Sequence, residues 1–197
     1  LYAQGLIENN TDLLQEAVDT YMHCLVVWTR TDYPSEWAIT MHNIAITFYA
    51  HGRLLKGSRT FEKSIASFRN SLAMISKEDD ALSWAINHNN RACALLNQGE
   101  REDDPKLIEQ AIESYEKVLE VWSDQKLSLH LATLAMVNLA TTRKVLAELT
   151  RDKIKAQRAA DDFEKILAVF DHACNVQCIK YCEAELSKAN LLLESLA

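Results

Sequence analysis

The sequence predicts an all-α protein, a solenoid of antiparallel helix pairs, on three observations. The sixteen residues from Trp84 to Gly99 repeat an earlier stretch, Trp37 to Gly52, at a spacing of 47. Apolar residues recur by threes and fours between these landmarks, as one buried helix face requires. Only four Gly and two Pro interrupt 197 residues, too few for a fold of many strands and turns. A helical hairpin recurring at a fixed period cannot bury its apolar face alone, so the copies must stack.

Taken in order, Gly5 ends an incomplete first copy. Thr11 and Asp12 cap a helix whose apolar positions are Leu13, Leu14, Ala17, Val18, Tyr21, Leu25 and Trp28. Thr31 to Pro34 form a turn, and Pro34 suits a first helical position. The Trp37 helix is expected to end at Gly52 in the left-handed conformation that glycine tolerates. Gly57-Ser58 then lead into an amphipathic helix with Phe61, Ile65, Phe68, Leu72 and Ile75. The Trp84 helix ends at Gly99 by the same reasoning, and Asp104-Pro105 signal the next start.

Helices of the repeat align position by position. Ala17, Ser64 and Ala111 are 47 apart, as are Tyr21, Phe68 and Tyr115, and Leu25, Leu72 and Leu119. One small residue and two large ones per helix suit a close crossing with interlocking ridges. The spacing then drifts to 48, from Tyr115-Glu-Lys-Val-Leu119 to Phe163-Glu-Lys-Ile-Leu167. A degraded third copy, Leu131-Ala132 with Asn138-Leu139-Ala140, lies on a helix from about 127 to about 149, and Val176 to Leu196 cap the array. The expectation is seven full helices in one domain over 1–197, with units near 1–29, 35–75, 81–123 and 127–172 and a cap at 175–197. Leu1 is not an initiator Met, so the chain reads as part of a larger protein.

Composition excludes several functions. A net charge of -7 argues against nucleic acid, whose phosphates are met by clustered Lys and Arg. No apolar run approaches the ~18 residues of a membrane span, and no signal peptide opens the chain. Five cysteines without a disulfide framework fit a reducing cytoplasm.

The repeat resembles the tetratricopeptide repeat, of the long kind found in bacterial multidomain proteins. The matching residues are Trp37-Ala38 and Trp84-Ala85, then Asn43-Ile44-Ala45, Asn90-Arg91-Ala92 and Asn138-Leu139-Ala140, with Gly52, Gly99 and the small-then-aromatic pairs at 17/21, 64/68 and 111/115. The resemblance covers essentially the whole chain. Two departures stand out: the period is 47 rather than 34, and Ala replaces the family's Gly at 45, 92 and 140. The resemblance implies a right-handed superhelix whose Trp37-type helices line a concave face.

That face supplies the candidate binding residues. Ile39, His42, Asn43, Ile46 and Tyr49 share a stripe on the Trp37 helix; Asn89, Asn90, Cys93 and Asn97 share one on the Trp84 helix; Asn138 and Thr141 follow on the next. Carboxamides suit peptide recognition because each offers a donor and an acceptor to a main chain. The blander reading is that the amides satisfy neighbouring helix groups. The family's carboxylate clamp needs Lys before the Asn and again later on the helix. His42, Asn89 and Val137 stand at the first position and Ala50, Asn97 and Val145 at the second, so that clamp is absent.

Three other features invite chemistry. Cys174, Cys178 and Cys182, with His172 nearby, run along one helical stripe, where thiols splay rather than converge on a metal; core packing is the expectation. Residues 143 to 158 hold six basic groups against Glu148 and Asp152, a solvated face or a dock for an acidic partner. No Gly-rich phosphate loop, His-Glu metal motif or nucleophile elbow appears. The sequence therefore reads as a non-enzymatic scaffold without metal or cofactor, the recognition or regulatory part of a multidomain protein, which binds a protein or peptide. The alternative is self-association through exposed repeat ends.

Overall fold

The computed structural model describes residues 1–123, 128–170 and 176–196. Among the described residues there are nine helices and no strand: α1 Tyr2–Glu8, α2 Thr11–Cys24, α3 Pro34–Leu54, α4 Arg59–Leu72, α5 Ala81–Glu102, α6 Pro105–Ser123, α7 Leu129–Thr150, α8 Lys153–Phe170 and α9 Val176–Ser195. They form two compact units, Leu1–Asp104 and Pro105–Ala197. Within each unit every helix packs on the next, and α3 also touches α5, as α7 touches α9. This consecutive packing with a second-neighbour contact is what a helical solenoid requires.

The seven full helices expected are α2 to α8 and the expected capping helix is α9; the opening stub adds a short helix of its own, α1. Caps also differ from expectation. Asn10, not Thr11 or Asp12, caps α2: its side chain accepts from the backbone N–H of Asp12 at 2.9 Å and Leu13 at 3.1 Å. The helix stops at Cys24, which leaves Trp28 39% exposed in the connection.

The larger correction concerns the glycines. No described glycine has positive φ, and α3 and α5 run past Gly52 and Gly99. The left-handed residues are Asn9, Asp103 and Arg151, four positions beyond Gly5, Gly99 and Ala147, whose carbonyls accept their backbone N–H groups. Glycine serves close approach instead. A Cβ on Gly5 would lie 2.9 Å from Leu14 Cδ2, and one on Gly52 would lie 2.9 Å from Phe61 Cδ1 and Cε1. Each contact spans nine residues, from the end of one helix to the start of the next. The corresponding residues of α7 and α8 are Ala147 and Ala156, both fully buried, so an added methyl on one side accompanies a small residue on the other.

Gly52→Ala is accordingly expected to destabilise the first unit. Overpacking costs about 1–3 kcal/mol, against about 1 kcal/mol gained from helix propensity, for a net loss near 1 kcal/mol. The ring has little room to retreat: Phe61 is fully buried under the Arg101 guanidinium at 4.6 Å. Urea denaturation checks the sign, and adding Phe61→Leu should recover part of the loss.

The small position of each repeat does more than allow approach. Ser64 donates to the Ala45 carbonyl at 2.8 Å, and Ser71 to the Ala38 carbonyl at 2.9 Å, both fully buried, so α4 is hydrogen-bonded to α3 along its crossing. Phe68 completes that core with Ala45 and Ala94, flanked by Ile46, Tyr49 and Ile65. In the second unit Val137, Ala140, Phe163, Ile166 and Cys182 form the corresponding cluster.

Candidate functional site

Helices α3 and α5 bring most of the expected stripe together along one seam of the first unit. His42, Asn43, Ile46, Tyr49, Asn90, Cys93 and Asn97 are all half-buried there, and Ile39 at the start of the stripe is 60% exposed. The period explains the register: α3 and α5 present equivalent faces because their residues are 47 apart.

Cross-helix bonds hold the seam. His42 Nδ1 lies 3.1 Å from Asn87 Oδ1, while the Asn87 amide donates to the Ser83 carbonyl at 2.9 Å. With the Asn87 oxygen facing the ring, Nδ1 carries the proton and donates. The imidazole edge also meets the Phe68 ring, with centroids 5.8 Å apart. Burial holds His42 below the usual histidine value, partly offset by the Asn87 bond, so the ring is neutral at pH 7. Further along, Tyr49 bonds the Asn97 side chain, and Asn97 donates to the Cys93 carbonyl at 2.9 Å. Burial, and then the nearby Cys93, push the Tyr49 phenol up to about 12, against the opposing influence of Arg53 and Asn97.

Two expectations change here. Asn89 is not open to a groove: it is 5% exposed, its amide donates to Asn90 Oδ1 at 3.3 Å, and its own oxygen has no partner. Asn87, missed in the sequence, carries the bond to His42. Its signal was the buried Thr40 one period earlier, 1% exposed where Asn87 is 2% exposed.

Asn138 and Thr141 belong to α7 in the second unit. Asn138 is half-buried and accepts from Thr142 at 2.7 Å through its carbonyl, as Asn43 does from Thr47 in α3. The Thr141 hydroxyl lies 3.2 Å from Tyr181 Oη on α9.

The basic run divides: Arg151, Lys153 and Arg158 are exposed, while Arg143, Lys144 and Lys155 meet carboxylates of their own unit. Arg143 is held between Glu116, at 2.7 Å, and Asp162. Lys144 is 7% exposed and bonds Glu185 at 2.9 Å and Glu148 at 3.2 Å, while Lys188 meets Glu185 at 2.6 Å. Burial opposes the Lys144 charge, yet its carboxylate neighbours leave it above the usual lysine value; burial likewise opposes the Glu185 charge, and the two lysines hold that carboxyl below the usual range. Lys155 and Arg158 lie 3.7 and 3.9 Å from Glu109 and Glu116. Arg143 also borders a cavity of about 460 Å³ walled by Leu119, Met136, Leu139 and Ile166.

Cys178 and Cys182 pack into the core of the second unit, and burial pushes the Cys182 thiol up to about 12. Cys174 and His172 lie outside the described residues. Among the described residues no group of three metal-ligating side chains forms, and no helix is long and apolar enough to cross a membrane.

The family description that matches this chain is the tetratricopeptide repeat, over residues 89–124. The chain thus carries a repeat of that type, and repeats of that type mediate protein–protein interaction. No curated protein and no solved structure matches it.

Proposed function

We propose that this chain is a non-enzymatic interaction scaffold of the tetratricopeptide-repeat kind, a recognition module that takes an extended peptide segment of a partner protein along the α3–α5 seam. The observation that carries the reading is the seam itself: half-buried amides, an aromatic hydroxyl and an exposed isoleucine lie along two helices joined by the His42–Asn87 hydrogen bond. A surface ordered before binding loses little entropy on binding. Amides there offer donors and acceptors to a peptide main chain, and Ile39 offers apolar contact.

The test is selection of a phage-displayed random dodecapeptide library on the purified chain, followed by titration of the enriched peptides. Ile39→Ser and Asn90→Ala are each expected to weaken binding several-fold, since a lost hydrogen bond costs about 0.5–1.5 kcal/mol, with the melting temperature nearly unchanged. Wild-type affinity in both variants would overturn the seam as the binding surface. A second reading, end-to-end stacking of copies, draws on Ile7 in α1 and Leu191 in α9, exposed at 82% and 61%. A sedimentation coefficient independent of concentration would remove it.

A further inference from the structure

Beside the seam, on the side of α3 that faces α1, a cavity of about 340 Å³ opens between Tyr2, Leu6 and Asn9 of the first helix and its cap and Tyr49, Ala50, Arg53 and Leu54 of α3. Tyr49 is common to the cavity and the seam, so a chain lying on the seam reaches the cavity without leaving α3.

The chemistry of the cavity is asymmetric. Leu6, Leu54 and the two tyrosine rings give it apolar walls. Arg53 is the one formally charged residue among those that line it. Neither the Arg53 guanidinium nor the Tyr2 hydroxyl has a hydrogen-bond or ion-pair partner among the described residues, and Arg53 is exposed. Elsewhere in the molecule, buried or half-buried cations such as Arg143 and Lys144 are committed to carboxylates of their own unit. In the first unit Arg101 is likewise engaged, by the Gly57 carbonyl at 2.8 Å and the Phe61 ring. An uncommitted guanidinium beside an uncommitted phenol, above apolar walls, matches a carboxylate on an aliphatic stem: the guanidinium offers a planar fork of donors, Tyr2 adds an O–H, and the stem lies on the leucines.

We propose that the Tyr2–Tyr49–Arg53 cavity is a specificity subsite for a glutamate side chain of the peptide bound on the neighbouring seam. The inference rests on the seam reading and names the kind of partner it fits: an extended segment with an acidic residue next to an apolar one. Glutamate is the choice because, of the two acidic side chains, it carries the longer aliphatic stem to lay on Leu6 and Leu54 beside Arg53. The overall charge of -7 does not attract such a ligand at long range, so selectivity must come from this local pairing.

The random-dodecapeptide selection is run in parallel on wild type, Arg53→Gln and Ile39→Ser. Wild type is expected to enrich a glutamate at one fixed position beside an apolar residue. The enriched peptide, synthesised with blocked ends, should bind about 10- to 100-fold more tightly than its Glu→Gln counterpart, the range for a charge-assisted contact. Arg53→Gln should erase that discrimination while keeping the melting temperature and the residual affinity of the Gln peptide. Tyr2→Phe should reduce the discrimination in part. Equal binding of the Glu and Gln peptides, or full discrimination retained by Arg53→Gln, overturns the subsite. If Ile39→Ser still weakens those peptides, the seam reading survives that failure. If a free-ended version of the peptide binds and the blocked one does not, the carboxylate is a chain end and the side-chain assignment is overturned. Enrichment of no peptide on wild type would overturn both readings.

Discussion

Phe68→Ala is expected to cost about 3–5 kcal/mol, the largest effect of any single truncation in the first unit. The ring is fully buried at the point where three helices meet, between Ala45 of α3 and Ala94 of α5, with Ile65 beside it on its own helix. Its neighbours are small and fixed: Ala45 sits where Ser64 bonds its carbonyl, so the walls cannot collapse into the space the ring leaves. A cavity that persists adds its own penalty to the lost transfer energy. The loss should extend to the seam, because His42 rests its edge on that ring. Urea denaturation measures the stability, and the dodecapeptide titration measures the seam. Phe68→Leu, which keeps most of the volume, should cost roughly 1–1.5 kcal/mol and preserve binding. A loss below about 1 kcal/mol for the alanine variant would show that the three helices do not depend on this residue.

Glu185→Leu is expected to be the most costly polar change, at about 2–3 kcal/mol. It strips Lys144 of its nearest buried carboxylate and leaves only the more exposed Glu148 at 3.2 Å. Removing one partner of a buried pair costs about 3–5 kcal/mol when the other is left isolated, and the remaining Glu148 reduces that figure here. The double variant Lys144→Met with Glu185→Leu should return most of the stability, since a hydrophobic pair of similar volume needs no compensating charge. Were the double variant as unstable as the sum of the singles, the two residues would not be acting as a pair.

The same cluster gives a pH dependence. Glu185 titrates below its ordinary 4.5, so its contribution is present above that value and is lost as pH falls through the depressed one. Lys144 titrates above its ordinary 10.5, so its contribution is present below that value and fades as pH rises beyond it. Stability of wild type should fall at both extremes, and the double variant should lack this part of the dependence.

The helices were legible because burial imposes a period, and the period shows in Tyr21, Phe68 and Tyr115 without any knowledge of contacts. Helix ends were not. Gly52 and Gly99 looked like terminators, yet the chain stays helical beyond them and leaves the helix at Leu55, which is extended, and at Asp103, which is left-handed, residues with no shared chemistry. Local sequence signals a glycine; it does not distinguish a glycine that turns the chain from one that admits a ring such as Phe61. The ion pairs of the basic run were hidden for a related reason. Its acids, Glu109, Glu116, Asp162 and Glu185, are brought to it by other helices, and a charge count along one segment omits them. The seam was legible in outline, since a stripe on α3 and its repeat on α5 must face the same way. What lay hidden was how much of that stripe the helices use on each other, as His42 does with Asn87.

The glycine-to-ring fit between helix ends bears on how such a chain can change over generations. Gly5 with Leu14 and Gly52 with Phe61 are lock-and-key pairs cut to different sizes, and the buried Ala147 and Ala156 stand at the equivalent positions of a later copy. Exchanging α3 for α7 alone would set a methyl against the Phe61 ring, whereas moving a helix together with its successor would carry the matched pair intact. The heritable module is therefore the two-helix cassette, with its boundary in the connection that precedes the tryptophan helix rather than in the one that follows it. Duplication or recombination at the first kind of connection transmits a working part; at the second, it separates a key from its lock.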